Sequence, residues 1–438
     1  MFINPMRYLA GLTERYGDVA ALRLGMRPAV FVNHPELLET LLRDRFCPRS
    51  DESRGAFRSF LGDGLLCIEG AHHLKHRRLM APAFHRERIR TYGMQMCSDA
   101  YEEIERWSVG ERRNLHDDMI RLTFAVVSRA LFSANTREDA DEVAEALAAI
   151  MPWVMMGAIM AGVAPGLPIY YPKKARRSIA RLHEVVRRIV ARRRQEGGDR
   201  GDLMSMLLAT RDADGGSLSD EDICSEVLTL LLAGHDTAAA TLTWAWHFLT
   251  QDQGIQERVG REVQRVLGDR PITVDDLPNL PLVEQVINET LRLYPVIWVG
   301  DRVPQRDMEL GEYCIPAKTR VLFSPYVTQR DARFFPDPDR FDPGRFSPER
   351  IGTIPAGAYF PFGAGVHMCI GNAFALMETR IVLAAMAQRF AITAVKTRSP
   401  RPDPGIVMNA IGGLPVVLHA RESRRAQPAQ GPEAVATP

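Results

Sequence analysis

Apolar and polar residues alternate with a helical period through most of this 438-residue chain. Apolar side chains recur every three or four positions in Pro35–Arg43, Glu87–Trp107, Arg121–Leu131, Glu138–Ile150, Lys173–Arg194, Ser219–Gln251, Leu282–Leu293 and Asn372–Phe390. This spacing places the apolar side chains on one face of an α-helix. The pattern therefore predicts a mainly α-helical protein.

Strand-like patterns are shorter and lie near the two ends of the chain. They cover Val19–Leu24, Ala29–Val32, Met308–Ile315, Arg320–Pro325 and Val416–His419. Because the early and late strands must pair across the sequence, we expect small β-sheets within a single domain that spans residues 1–420. The remaining residues, 421–438, are rich in Pro, Ala and charge, and we predict a disordered C-terminal tail.

Composition narrows the possible functions. The chain is 46% hydrophobic and 25% charged, and its 55 basic and 54 acidic residues leave a formal charge of +1. This balance provides no general attraction to nucleic acid, which we do not expect as a partner. Six scattered cysteines without a C-x-x-C pair or a preceding secretory segment are typical of a reducing cytoplasm.

One uncharged stretch, Ala146–Pro172, is long enough to span a bilayer. Inside it, Pro152, Pro165 and Pro168 together with three glycines interrupt a helix repeatedly. A buried segment that lines a substrate pocket explains this composition better than a transmembrane anchor, which we do not expect.

The most informative segment is Phe360–Gly371, which contains three glycines and Cys369 and directly precedes a predicted helix. The glycines allow tight turns, and the amino end of a helix favours a thiolate over a thiol. A lone thiolate in an apolar loop suits the axial position of haem iron. A glycine-rich phosphate loop is disfavoured because Met368 stands where a third glycine is needed. A buried structural cysteine remains the alternative.

This loop resembles the cysteine-ligand signature of the cytochrome P-450 superfamily, Phe-x-x-Gly-x-Arg/His-x-Cys-x-Gly. The matching positions are Phe362, Gly365, His367, Cys369 and Gly371. Three further motifs of the superfamily occur in the expected order from His73 onward. The resemblance implies haem b with Cys369 as axial iron ligand. It also implies the superfamily's fold, in which a long central helix lies over the haem and the cysteine loop lies on the other side.

The first further motif, Ala233–Thr237, is similar to the oxygen-binding helix of the superfamily. An acid followed by an alcohol is unfavourable to bury in an apolar run unless it is used, and Asp236 with Thr237 can relay protons. Gly234 is interpreted as making room for a diatomic ligand. In the alternative, Thr237 bonds back to its own helix and Asp236 pairs with an arginine.

The second motif combines Glu289-Thr290-Leu291-Arg292 with Pro343-Gly344-Arg345-Phe346. Residues three apart share a helix face, so Glu289 and Arg292 can pair. The resemblance adds Arg345 as the third member of a buried structural network.

The third motif places cations around the haem propionates. The resemblance assigns this role to His73 and Arg77 within Gly70–Arg78, to Arg302 and to His367. His72 and His76 also share a helix face and could bind a metal ion. This alternative is disfavoured for want of a nearby carboxylate or cysteine ligand.

By resemblance, the protein is a monooxygenase that uses O2 and two electrons from NAD(P)H to hydroxylate or epoxidise its substrate. No flavin or ferredoxin domain is present in the sequence, so a separate ferredoxin or flavodoxin with its reductase is expected to deliver the electrons. The face of this protein that receives the electron donor would be the basic cluster of Lys75, Arg77, Arg78, Arg86, Arg88 and Arg90. An ordinary solvated surface is the alternative.

The predicted pocket is apolar, which favours a lipophilic substrate such as a terpene, fatty acid, polyketide or steroid. Candidate lining residues are Leu230, Ala233, Ile297, Trp298, Val299 and Ile411, with Phe60–Leu65 and Met151–Tyr171. Two other functions stay open. A peroxide-driven haem enzyme typically lacks the acid–alcohol pair, and a haem-based sensor or lipophile-binding protein needs no proton relay.

Overall fold

The structure is a computed structural model that describes residues 4–132, 142–143, 145–147, 149–150, 153, 171–211, 215–395 and 399–421. In this part of the chain, helices dominate, as predicted. Their bounds are α1 Pro5–Tyr16, α2 Pro35–Arg43, α3 Asp51–Leu61, α4 Gly70–Met80, α5 Arg86–Ile104, α6 Leu115–Phe132, α7 Lys173–Glu196, α8 Leu203–Ala209, α9 Asp220–Gln251, α10 Gln253–Leu267, α11 Pro281–Leu293, α12 Pro325–Thr328 and α13 Asn372–Arg389.

The strands are short and come from both ends of the chain. Their bounds are β1 Val19–Leu24, β2 Arg27–Val32, β3 Arg112–Asn114, β4 Gly300–Arg302, β5 Met308–Leu310, β6 Tyr313–Ile315, β7 Arg320–Phe323, β8 Phe390–Ala394, β9 Arg401–Pro402, β10 Ala410–Ile411 and β11 Pro415–Ala420. They form a four-stranded sheet in the order β1-β2-β7-β4, a three-stranded sheet β3-β11-β8, and two hairpins. The mainly helical fold with small sheets is thus confirmed.

Pairing across the sequence joins the two ends. Strand β2 pairs in parallel with β7, with Ala29 opposite Arg320 and Val32 opposite Phe323. The Asn33 side chain extends this contact, because its Oδ1 accepts a hydrogen bond from the Thr328 hydroxyl at 2.7 Å.

One predicted strand, Met308–Ile315, is wrong in detail. The structure divides it into β5 and β6, which pair antiparallel with Met308 opposite Ile315. Gly311 lies between them at φ +63°, a left-handed conformation that only glycine adopts without strain. The chain therefore reverses at Gly311 instead of continuing as one strand.

The central helix α9 is 32 residues long, or about 48 Å at 1.5 Å per residue. It starts at a capping box in which the Ser219 hydroxyl accepts from the Asp222 amide (3.1 Å) and the Asp222 carboxylate accepts from the Ser219 amide (3.1 Å). Most of its residues are buried in the largest apolar core, which it shares chiefly with α5, α6, α7, α11 and α13. The predicted segment Ser219–Gln251 is therefore confirmed.

Within the described residues, no helix has the length and apolar character needed to cross a bilayer. Most of the uncharged stretch 146–172 and nearly all of the predicted tail lie outside those residues. Of the predicted helix Glu138–Ile150, seven residues are described and all seven are helical.

Candidate functional site

The cysteine loop is a series of tight turns immediately before α13. Amide groups donate from Gly363 to the Phe360 carbonyl (3.0 Å) and from Cys369 to the Phe362 carbonyl (2.9 Å). Gly365 has φ +66°, and a Cβ atom there would lie 2.0 Å from the Leu42 carbonyl oxygen. Only glycine fits this position, so the loop follows the backbone path that the sequence predicted.

Cys369 is exposed, although protein atoms surround its thiol on most sides. Burial raises the pKa of the thiol, while a hydrogen bond from the Gly371 amide and the charge of Arg77 lower it. The burial effect is larger, which corrects the expectation that the helix end alone would favour the thiolate. A positively charged metal ion would hold this sulfur as a thiolate. The donor thus fits haem iron.

The cationic residues predicted to surround the propionates do converge. The rings of His73 and His367 lie 4.6 Å apart between centroids. Burial lowers the pKa of His73 to about 3, with His367 and Arg49 contributing, and burial lowers the pKa of Arg302 to about 10. Burial is the largest cause of both shifts, so a positive charge on His73 or Arg302 needs a nearby anion to offset its desolvation.

Two buried nitrogen atoms in this group, His367 Nδ1 and Arg302 Nε, have no hydrogen-bond partner among the described residues. Arg302 Nε is an unsatisfied buried donor, which is unfavourable, and His367 Nδ1 becomes one when the ring is doubly protonated, because Nε2 faces Glu69 Oε2. Two carboxylates of a haem would supply the missing acceptors, so these residues fit the propionates of haem b.

Sequence reasoning missed Arg49 and Glu69 in this cluster. Glu69 Oε1 accepts from Arg49 Nε at 2.7 Å, and Glu69 Oε2 lies 3.1 Å from His367 Nε2. Burial alone would raise the pKa of Glu69, but the hydrogen bonds and charges of His367 and Arg49 lower it to about 2. Glu69 directly precedes Gly70 of the third motif, which was a usable signal; Arg49 has no comparable signal in the sequence.

On α9, the Thr237 hydroxyl donates to the Ala233 carbonyl at 2.7 Å. Asp236 Oδ1 accepts from the Asn409 side-chain amide at 3.2 Å. The hydrogen bond from Thr237 back to its own helix, which the alternative interpretation expected, is thus observed. The arginine partner that it expected for Asp236 is not seen in the described part of the chain. Because the threonine hydroxyl uses its proton in this bond, its oxygen lone pairs remain available to a molecule nearby.

Gly234 has a packing role that differs from the predicted one. A Cβ atom at this position would lie 2.7 Å from Val127 Cγ2 on α6. A neighbouring helix therefore fills the space that a side chain at position 234 would need. Room for a diatomic ligand at Gly234 stays a prediction. Ala233, one residue earlier, is the exposed position in this part of α9.

Gly234→Ala is expected to destabilise the protein by about 1 kcal/mol, because overpacking costs about 1–3 kcal/mol and helix propensity returns about 1 kcal/mol. Gly55→Ala on α3 is the matched control, since nothing lies within 4 Å of its added Cβ. The control should gain about 0.5–1 kcal/mol. Thermal unfolding followed by circular dichroism should move in opposite directions for the two variants. Equal stabilisation of both would contradict the assigned packing role.

The predicted buried network is present and larger than expected. Arg292 contacts Glu289 through two hydrogen bonds of 2.7 and 2.8 Å, and Arg345 Nε lies 3.4 Å from Glu289 Oε1. Arg292 also donates to the carbonyls of Gln329, Pro338 and Arg340. All three charged side chains are buried.

The predicted pocket residues divide into two groups. Ala233, Ile297 and Ile411 are exposed, whereas Leu230 is partly buried against the largest core. Trp298 is buried and its Nε1 donates to the Gly405 carbonyl at 2.8 Å, and Val299 packs against the same core cluster. Trp298 and Val299 thus belong to a core, which corrects their assignment as pocket residues.

The loop that was proposed to line the pocket, Phe60–Leu65, is corrected in the same way. Phe60 and Leu61 end α3 inside the largest core and expose no surface. The Met151–Tyr171 candidate lies outside the described residues except for Trp153 and Tyr171.

The exposed apolar positions lie beside the acid–alcohol pair. The segment that precedes Ile411 is fixed to α9 by the Asn409–Asp236 hydrogen bond and to the segment before Ile297 by a bond from the Met408 amide to the Val296 carbonyl (2.8 Å). An apolar molecule in contact with Ile297 and Ile411 would therefore lie close to Asp236.

Comparisons with known proteins agree with this geometry. The family model for Cytochrome P450 matches residues 3–414. Cyclooctatin synthase of Streptomyces melanosporofaciens is 37% identical, over 93% of this chain and 90% of its own length. Pentalenene oxygenase of Streptomyces avermitilis is 32% identical, over 92% of this chain and 90% of its own length.

A crystal structure of the cytochrome P450DA heme domain superposes with a TM-score of 0.85 at 25% identity, covering 95% of this chain and 93% of that one. Both the sequence match and the fold extend over nearly all of the chain. The protein therefore belongs to the cytochrome P450 family of haem-thiolate monooxygenases.

Proposed function

We propose that this monooxygenase hydroxylates or epoxidises a terpene. The observation that carries the proposal is that the apolar residues Ala233, Ile297 and Ile411 are exposed, and that hydrogen bonds join the segments before Ile297 and Ile411 to each other and to Asp236. An apolar surface with few polar groups favours a hydrocarbon over a polar metabolite. The names of two similar proteins, cyclooctatin synthase and pentalenene oxygenase, point in the same direction. A third relative is named cyclooctat-9-en-7-ol 5-monooxygenase and is 35% identical over 95% of this chain.

Haem iron ligated by Cys369 would supply the activation of O2. The other residues bind and position. His73, Arg302 and His367 offer donors for the propionates, and Gly371 donates its amide to the cysteine sulfur. These roles remain proposals that spectroscopy of variants can test.

Asp236 and Thr237 are proposed to move protons at the edge of the apolar surface. Asn409 orients the Asp236 carboxylate, and the Thr237 oxygen accepts a hydrogen bond from water or another small molecule. The next residue, Ala238, is buried and carries no hydroxyl. The relay therefore has one alcohol.

Electrons are proposed to come from NAD(P)H through a separate reductase and a ferredoxin or flavodoxin. The basic cluster on α4 and α5 supports an acidic partner, although Arg88 pairs with Asp199 (2.9 Å) and Arg90 with Asp275 (2.5 Å). All six cysteines are free thiols, which supports a cytoplasmic location.

The test of the proposed function is turnover of haem-loaded protein with NADPH, ferredoxin and ferredoxin reductase under ¹⁸O2. Cyclic diterpene and sesquiterpene hydrocarbons, a fatty acid and a steroid form the substrate panel. We expect one labelled oxygen atom in a terpene product. Turnover of only the fatty acid or steroid would overturn the terpene assignment, and turnover with hydrogen peroxide alone at the same rate would favour a peroxide-driven enzyme.

Thr237→Ala is expected to bind the same terpene with unchanged affinity but to form roughly 100-fold less product per NADPH consumed, because a proton donor or acceptor is lost. Thr241→Ala is the matched control. Its hydroxyl makes the same kind of bond back along α9, to the Thr237 carbonyl at 2.9 Å, but it is buried. Spectral titration and product analysis separate binding from turnover. Equal losses in both variants would assign Thr237 to helix stability alone.

A further inference from the structure

A second cluster of metal-binding side chains lies away from Cys369, where α4 contacts the start of α9. His72 and His76 occupy successive turns of α4, and Asp222 lies in the first turn of α9. One potential ligand atom of each residue lies within 4.8 Å of the other two. The carboxylate of the cluster is therefore supplied by a helix that is distant in the sequence.

The two imidazoles are held close together. Their ring centroids lie 4.6 Å apart with the planes at 87°. His76 is buried, whereas His72 is exposed and Asp222 retains 28% of its side-chain exposure. The cluster thus has a fixed inner ligand and a side that solvent can reach.

Glu226 fixes the orientation of His76. Its Oε1 lies 2.7 Å from His76 Nδ1, and its Oε2 accepts the Leu65 amide at 3.0 Å. In the neutral tautomer that donates from Nδ1 to this buried carboxylate, His76 Nε2 carries a lone pair. A carboxylate that orients a histidine in this way is the usual second partner of a metal-bound imidazole.

That Nε2 atom faces Asp222 Oδ1 at 3.9 Å, which is too long for a hydrogen bond. The other carboxylate oxygen, Oδ2, already accepts from the Ser219 amide and hydroxyl at 3.1 and 2.7 Å. Asp222 Oδ1 and His76 Nε2 are therefore two lone-pair atoms that face each other across a gap.

We propose that His72, His76 and Asp222 bind a divalent transition-metal ion, with Zn²⁺ as the best match. Imidazole and carboxylate ligands suit this ion, with ligand bonds of about 2.0–2.1 Å in a tetrahedron. Ligand atoms in that geometry lie about 3.3 Å apart, so the 3.9 Å gap closes with a small side-chain rotation. Water completes the fourth position on the exposed side.

The bound ion would connect two helices that carry the proposed haem and oxygen residues. Helix α4 holds His73 and Arg77, and α9 holds Asp236 and Thr237. Through Glu226 the site also reaches the Leu65 amide in the loop after α3. An ion that binds the folded chain but not the unfolded chain raises the free energy of unfolding. The site therefore acts as a structural clamp between α4 and α9.

The test is a Zn²⁺ titration of haem-loaded protein against a chromophoric chelator. We expect one Zn²⁺ per chain, an affinity at least tenfold weaker in His72→Ala, and a raised unfolding temperature in wild type that this variant loses. His72 is exposed, so its replacement leaves the fold intact. His85→Ala, an exposed histidine outside the cluster, is the matched control and should bind as wild type does.

Zinc K-edge X-ray absorption identifies the ligands independently of activity. We expect two imidazoles and one carboxylate oxygen at about 2.0–2.1 Å. A sulfur ligand at about 2.3 Å would place the ion on a cysteine and overturn the proposal. Unchanged affinity in His72→Ala, or the absence of saturable binding, would overturn it as well. None of these outcomes depends on the substrate of the monooxygenase.

Discussion

Cys369→Ala is expected to abolish the red-shifted Soret band that cytochromes P450 show when reduced and exposed to carbon monoxide. The alanine cannot ligate iron, and the electron density that a thiolate donates is lost. Turnover should fall by roughly a thousandfold or more, which corresponds to about 4 kcal/mol in the activation barrier. The difference spectrum and product formation of freshly haem-loaded protein measure these two effects.

Cys314→Ala is the control for this experiment. Cys314 lies exposed in β6, at a distance along the chain from the loop that ends at Gly371. Its replacement should leave both spectrum and turnover unchanged. Far-UV circular dichroism should be the same in both variants, because Cys369 precedes α13 and its hydrogen bonds, one from its amide and one to its sulfur, stay within its own loop. A Cys369→Ala protein that retains the band would exclude this residue as the iron ligand.

Glu289→Gln is expected to lower the free energy of unfolding by about 3–5 kcal/mol, because it leaves Arg292 and Arg345 as buried charges without a counter-charge. Urea unfolding followed by circular dichroism measures this change. Asp275→Asn is the control, since it removes the exposed Arg90–Asp275 pair and should cost at most about 1 kcal/mol. If both variants lose equal stability, the Glu289 network contributes no more than a surface pair.

The same substitution should also weaken haem retention. Arg292 donates to the Gln329 carbonyl at 2.7 Å, and Gln329 Oε1 accepts the Phe360 amide at 3.0 Å. The network therefore supports the residue at which the cysteine loop begins. The ratio of haem to protein after gel filtration should be lower for Glu289→Gln than for Asp275→Asn.

The sequence predicted the fold well where local signals agree with burial. Helix α7 starts at the predicted Lys173 and ends before Gly197, whose φ is +61°. Ser219 was predicted to open the central helix and is its N-cap. Helices α1 and α10 were missed, although both show apolar positions at helical spacing.

The site residues were predictable where a sequence motif indicates their chemistry. They were less predictable where their role depends on tertiary packing. Trp298 and Ile297 are both apolar neighbours, and only the folded chain shows that one is buried and the other 43% exposed. The sequence predicted room for a ligand at Gly234, and only the folded chain shows that Val127 of α6 also requires a glycine there. Asp222 approaches the histidines of α4 only through tertiary packing, which no local pattern encodes.

The parallel pairing of β2 with β7 has a consequence for synthesis on the ribosome. The Asn33–Thr328 contact that extends it joins residues 295 positions apart. At about 5–20 residues per second, the first hairpin waits about 15–60 s for its partner strand. During that time β2 presents an open edge, which invites association with other nascent chains. Slower initiation of translation or added chaperone should therefore raise the yield of folded enzyme more than a stronger promoter does.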